Sequence, residues 1–104
     1  MSERELTKSI ISLLTRAGFW TLKIHGGPYQ MSGIPDILGI RNGRAYWLEV
    51  KVPGNTASKI QARRIDELRA VGCVAEVVDS ISSVVDILAA IDLEFPDPGG
   101  NRSG

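Results

Sequence analysis

Apolar residues recur along the chain in two periods, and the points where the period changes divide it into short elements. Leu6, Ile10, Leu13, Leu14 and Ala17 fall at helical spacing behind Ser2, which has Glu5 three residues on as in a capping box. Residues 3–17 are therefore predicted as an amphipathic first helix, closed by Gly18. Phe19 to Ile24 alternate loosely as a strand, and the turn-rich residues 25–33 lead into two apolar runs, Ile34 to Ile40 and Ala45 to Val52. Asn42-Gly43 between these runs predicts a hairpin, because a type I′ turn needs positive φ at both central residues. Pro53-Gly54-Asn55 breaks the second run, and Ser58 opens a helix that reaches Val71 and stops at Gly72. Cys73 to Val78 is a β-branched strand, and Ser80 caps a last helix that buries Ile81, Val84, Val85, Leu88 and Ile91. The predicted order is α-β-β-β-α-β-α, an α/β domain over residues 1–91, with residues 92–104 a disordered tail rich in Pro, Asp, Gly, Asn and Ser.

Length and composition narrow the functional classes. A chain of 104 residues with 43% hydrophobic and 23% charged positions fits one globular domain. No stretch approaches the roughly 18 apolar residues of a membrane span, and Met-Ser-Glu-Arg-Glu is no signal peptide, so a cytoplasmic protein is expected. Cys73 is the sole cysteine and His25 the sole histidine, which excludes an internal disulfide and a zinc site of the usual composition. The net charge of zero conceals a segregation: residues 1–64 carry a balance of +6 and residues 65–104 a balance of −6. Such asymmetry allows one face to meet a polyanion.

The hairpin carries the candidate chemistry. A two-residue turn at Asn42-Gly43 pairs Ile40 with Ala45 and Leu38 with Trp47, which brings Asp36 opposite Glu49. Lys51 lies on the same face as Glu49, two residues on. Opposed Cβ atoms are about 4.5–5.5 Å apart, so two carboxylates there repel unless something positive lies between them. Leu38, Ile40, Ala45 and Trp47 share that face, and its apolar character predicts that it is largely covered. A hard divalent cation such as Mg²⁺ takes oxygen ligands, which Asp36, Glu49 and the backbone carbonyl of Val50 supply. An ion so held polarises a phosphoryl oxygen and activates water, with Lys51 orienting that water or neutralising charge on the phosphate.

These residues resemble a known family. Gly33-Ile34-Pro35-Asp36, a gap of twelve residues and Leu48-Glu49-Val50-Lys51 look like the PD-(D/E)xK nuclease signature. Pro53-Gly54, Ser58-x-x-Gln61 and Gly72 before the last strand are similar to its VRR-NUC branch, over roughly residues 3–88. The resemblance implies an αβββαβ restriction-endonuclease-like core with a mixed central sheet flanked by helices. It further implies dependence on Mg²⁺ or Mn²⁺ and hydrolysis of DNA phosphodiester bonds. Stand-alone members of this size look like phage or bacterial proteins, and some resemble dimeric Holliday-junction resolvases, so a homodimer in a bacterial host cell is expected.

Related nucleases often carry an acid on the first helix. Glu3 shares the Thr7, Ile10 and Leu14 face and is chosen over Glu5, which lies toward solvent, although a carboxylate near a helix N-terminus also serves the dipole. Gln61 matches the family position that contacts phosphate or the attacking water, and equally serves as the third residue of a capping box with Ser58. Lys23, Arg41, Arg44, Lys59, Arg63 and Arg64 form the candidate phosphate-contacting set. From the 25–33 loop His25 could act as a base or contact DNA and Tyr29 could stack on an unpaired base, but neither has a spacing partner, and His25 is read as a strand-end residue outside the catalytic set. The rival functions are a non-catalytic nucleic-acid-binding module on the same fold and a phage interaction protein whose acidic half meets a partner.

Overall fold

A computed structural model describes residues 1–28 and 30–96. The elements follow as α1 (Glu3–Arg16), β1 (Trp20–Lys23), β2 (Ile37–Arg41), β3 (Arg44–Val50), α2 (Lys59–Ala70), β4 (Val74–Val78) and α3 (Ile81–Glu94). The strands form one sheet in the order β1-β2-β3-β4, with β1, β2 and β3 mutually antiparallel and β4 parallel to β3. This is the mixed sheet and αβββαβα order anticipated from the sequence.

Local chemistry explains most boundaries. Asn42 and Gly43 have φ of 54° and 72°, and the hairpin register is Ile40 to Ala45 and Leu38 to Trp47 as expected. Each helix opens on a complete capping box: Ser2 with Glu5, Ser58 with Gln61, and Ser80 with Ser83. β2 starts at Ile37, three residues later than its apolar run, because Pro35 has no amide to continue the ladder. Asp36 stands at that break, its carbonyl accepting from the Ile24 amide at 2.7 Å and its Oδ2 from the Val50 amide at 2.8 Å. α3 runs to Glu94, past the expected start of the tail at residue 92, while residues 97–104 lie outside the described residues, as does Tyr29.

The main core lies on one side of the sheet, where Leu6, Ile10 and Leu14 of α1 and Val84 of α3 pack on Ile37, Tyr46, Leu48, Val50 and Val78. Phe19 meets Tyr46 edge to face at 4.9 Å, and Gly39 leaves room for that ring, since a Cβ there would approach it to 3.1 Å. α2 crosses the opposite side over β3 and β4, burying Ile65 and Ala75. The face carrying Leu38, Ile40, Ala45 and Trp47 is thus covered only in part, contrary to the expectation from its apolar residues. Ile40 remains 38% exposed and the other three half-buried, because α2 spans two strands and, among the described residues, no helix reaches β1 and β2 on that side.

Chain direction fixes the ends of the sheet. β3 and β4 run toward the end where Asp36 lies, and α2 and α3 begin just beyond them. α1 finishes at the hairpin end, where the Ala17 carbonyl meets Arg41, so its N-terminus also lies at the Asp36 end. Among the described residues no helix is long and apolar enough to cross a membrane.

Candidate functional site

The site forms where β2 begins and β3 ends. Val50 points into the core, so alternation turns Glu49 to the α2 side, where it is 1% exposed. Gln61, in the first turn of α2, donates from Nε2 to Glu49 Oε2 at 3.3 Å, and Lys51 Nζ stands 3.6 Å from the same oxygen. Glu49 Oε1 is buried without a hydrogen-bond partner. Asp36 lies beside it, and the pairing of these two acids follows from the hairpin register as anticipated.

Electrostatics reflect that crowding. Burial pushes the Glu49 carboxyl from 4.5 up to about 8, reinforced by the charge of Asp36 and by a hydrogen bond to Asp36 that the protonated form makes. Lys51 opposes the shift, and the Glu3 charge adds to it. Glu5 is not available to the site: the Ser2 amide donates to its Oε1 at 3.2 Å, and Ser2 holds this carboxyl below the usual range. The Thr7 hydroxyl, buried between Glu3 and the core, donates to the Glu3 carbonyl at 2.8 Å.

Gln61 closes the capping box expected of it and also reaches Glu49. Its Oε1 accepts from the Ser58 amide at 2.9 Å to close the capping box, which leaves Nε2 to face Glu49. One planar amide thus couples the start of α2 to the carboxylate.

The basic residues divide between the two ends of the sheet. Lys23 and Lys59 are exposed at the Asp36 end, and Arg63 follows on the exposed side of α2, paired with Glu67 at 3.4 Å. Arg64 instead binds the Ser32 carbonyl at 3.0 Å and Glu67 at 2.9 Å, so it fastens the 25–35 connection to α2. Arg41 and Arg44 lie at the hairpin end, away from the acids. Arg41 is held by Asp92 at 2.6 Å, by the Ala17 carbonyl and by the Phe19 ring, and Arg44 stacks on Phe95 at 3.7 Å. The expectation that these two join one phosphate-contacting cluster is not met, because their charges are engaged far from Asp36. His25 is exposed just after β1, at the Asp36 end.

Gly33 opens the motif that ends in Asp36, and the structure gives it a positioning role that the motif does not state. Its φ is 80°, and a Cβ there would come within 2.8 Å of the Ile60 carbonyl oxygen. The connection leading into Asp36 therefore lies directly on the first turn of α2. The signal was a glycine three residues before Asp36, which at the sequence level reads only as a turn.

Comparison with known proteins bears on the fold. A solved structure of a VRR_NUC domain superposes with a TM-score of 0.73 at 24% identity, covering 84% of this chain and 94% of that one. The chain has the VRR_NUC fold. A second structure, of a VRR_NUC domain protein, superposes with a TM-score of 0.73 at 19% identity and covers 89% of each chain. No family model matches the sequence, and no curated protein matches it. The likeness in fold thus extends over 84–89% of the chain.

The donor set fits a divalent cation. Among the described residues no three His, Cys, Asp or Glu side chains gather closely enough to ligate one ion, so protein ligands reduce to the carboxylates of Asp36 and Glu49 plus backbone oxygen. In an extended strand the amide and carbonyl of one residue share an edge, so the Val50 carbonyl lies on the side of β3 that carries Asp36. Few protein ligands and several waters are the usual environment of Mg²⁺. A cation held by the two carboxylates would give Glu49 Oε1 a partner and offset their repulsion.

Proposed function

We propose that this chain is a nuclease of the VRR_NUC family that hydrolyses DNA phosphodiester bonds with a divalent cation, Mg²⁺ or Mn²⁺, at Asp36 and Glu49. The observation that carries this reading is the buried Glu49 carboxylate beside Asp36, with Oε1 unpartnered and Oε2 approached by Lys51 and Gln61. A bound cation supplies Lewis acidity toward a phosphoryl oxygen and acidifies a water.

This chain's residues do the positioning. Asp36 and Glu49 hold the ion, with the Val50 carbonyl as a further ligand. Lys51 sits beside Glu49 with its ammonium free to orient the attacking water or to meet charge developing on the phosphate. Gln61 fixes the rotamer of Glu49 through Nε2. Glu3 adds negative charge at the edge of the site. The N-termini of α1, α2 and α3, together with Lys23 and Lys59, make this end of the sheet favourable to a phosphate backbone.

Paired cuts on a branched junction need two such sites, and a twofold homodimer supplies them with one kind of subunit. The reading is therefore of a cytoplasmic endonuclease, in a bacterial host cell, that acts as a dimer on duplex or branched DNA.

The test incubates the protein with supercoiled plasmid, linear duplex, single strand and four-way junction, each with Mg²⁺, Mn²⁺ or EDTA. Nicking of closed plasmid in either metal and none in EDTA is expected. Retention of DNA without cleavage in either metal would favour the non-catalytic binding module instead.

A further inference from the structure

The segment that delivers Asp36 to the site has little of its own to hold it. Pro35 has no amide, and the ladder between β1 and β2 begins only at Lys23 opposite Ile37. Two backbone amides grip Asp36 itself, that of Ile24 on its carbonyl at 2.7 Å and that of Val50 on Oδ2 at 2.8 Å. Upstream, among the described residues, residues 25–35 make a single hydrogen bond to the rest of the chain, from Arg64 Nε to the Ser32 carbonyl at 3.0 Å. The bond from the Gln30 amide to the Gly27 carbonyl, also at 3.0 Å, lies within the segment.

We propose that Arg64 is a positioning residue for the reaction: it clamps this segment onto α2 and thereby sets where Asp36 stands relative to Glu49. The inference rests on the cation reading of the proposed function and gives that site a support outside its ligands.

Burial and bonding fit a clamp rather than a phosphate contact. The Arg64 side chain is 18% exposed, whereas that of neighbouring Arg63 is 72% exposed. Its guanidinium is engaged on two sides, Nε with Ser32 and one terminal nitrogen with Glu67 at 2.9 Å, so a phosphate would have to displace protein contacts.

The path from the clamp to the acid is short. Ser32 is followed by Gly33, whose backbone lies against the Ile60 carbonyl, where a Cβ would come to 2.8 Å. Ile60 and Arg64 are four residues apart on α2, so Ser32 and Gly33 dock on successive turns of one rigid face, and three residues further on the chain reaches Asp36. The acceptor at Ser32 is backbone, so no substitution there removes it, and Arg64 is the side chain whose loss breaks the link. α2 also carries Gln61, which donates to Glu49. One helix thus governs both carboxylates, Glu49 through Gln61 and Asp36 through the clamp on its approach.

The experiment compares wild type, Arg64→Ala and Arg64→Lys with Arg69→Ala. Arg69 is a matched control: it lies on α2, donates from Nε to the Ala75 carbonyl at 2.8 Å and pairs with Glu76 at 2.8 Å, but holds no segment that leads to Asp36. In hydrogen exchange of the metal-free protein, read by NMR, the Ile24 and Val50 amides should exchange about tenfold faster or more in Arg64→Ala and keep wild-type protection in Arg69→Ala. Mn²⁺ affinity by calorimetry should fall about tenfold in Arg64→Ala, recover in part in Arg64→Lys, which keeps a donor for the Ser32 carbonyl, and hold in Arg69→Ala. On plasmid, kcat of Arg64→Ala should fall about tenfold or more while the KM for DNA stays at the wild-type value.

Unchanged protection of the two amides in Arg64→Ala overturns the proposal, as does an equal loss in Arg69→Ala. A raised KM with kcat intact makes Arg64 a phosphate contact instead and overturns it too. Exchange needs neither metal nor DNA, so it decides on the clamp separately from a wild type that binds no Mn²⁺, which would sink the cation reading.

Discussion

The two ends of the sheet treat their charges in opposite ways. At the hairpin end Arg41 is largely buried, but it binds Asp92 at 2.6 Å, the Ala17 carbonyl at 3.2 Å and the Phe19 ring, and only Nε lacks a partner. Opposite charges meet, and the end is internally settled. At the other end the buried acid Glu49 faces a second acid, and the one nearby lysine stands 3.6 Å from the oxygen that Gln61 already contacts. Burial of like charges raises the free energy of the fold, so such an arrangement points to a ligand of opposite charge rather than to stability. Charge at the hairpin end supports the architecture, and charge at the Asp36 end conflicts with it.

The largest expected effect comes from removing that conflict. Asp36→Asn or Glu49→Gln should lower metal-dependent plasmid cleavage on the order of 10³-fold with no loss of thermal stability. Arg41→Ala should leave cleavage nearly unchanged. Undiminished cleavage by both acid variants would erase the functional distinction between the ends.

Stability against pH sharpens the same comparison. In the unfolded chain Glu49 gives up its proton near the ordinary 4.5, while the native protein keeps it to about 8. Between those values the native state binds more protons, so the stability of the metal-free protein should fall as pH rises from 4.5 to 8. The fall should flatten in Glu49→Gln, as read from urea denaturation at several pH values. Equal pH slopes for wild type and variant would show that Glu49 does not hold its proton.

Two smaller effects separate positioning from architecture. Arg41→Met should cost about 1–2 kcal/mol in urea denaturation, because the Ala17 carbonyl and Phe19 contacts are lost while Asp92, at 55% side-chain exposure, is readily solvated. Gln61→Ala should cost about 1 kcal/mol through the open capping box. Gln61→Glu is more telling, since glutamate still closes the box but cannot donate to Glu49. The carboxyl it sets against Glu49 should lower stability by about 1 kcal/mol or more although the box stays closed, while cleavage falls about tenfold or more. A rate that follows stability in both variants would reduce Gln61 to a cap.

Legibility in the sequence followed the range of the interactions. Asn42-Gly43 fixes the hairpin through two residues of positive φ, and from that register the approach of Asp36 to Glu49 follows by alternation. The Ser2 and Ser58 caps are equally local. What escaped depends on tertiary packing. The half-exposure of the Leu38–Trp47 face is decided by where α2 crosses, which its own residues do not encode. Arg41 finds Asp92 across 51 positions, so its engagement at the far end is invisible in a charge count. The same contact, with Arg44 on Phe95, accompanies the continuation of α3 to Glu94 through a composition that reads as tail. For Gln61, cap and carboxylate contact are local and tertiary faces of one amide, and the sequence alone names the cap but not the contact to Glu49.

Calorimetric titration of Mn²⁺ into the metal-free protein at pH 7, repeated in buffers of different ionisation enthalpy, tests the central claim most directly. With Glu49 protonated up to about pH 8, the account predicts one ion per chain and release of close to one proton on binding. Asp36→Asn and Glu49→Gln should each abolish the heat of binding. Binding that releases no proton and survives both substitutions would contradict the assignment of this carboxylate pair as the cation site.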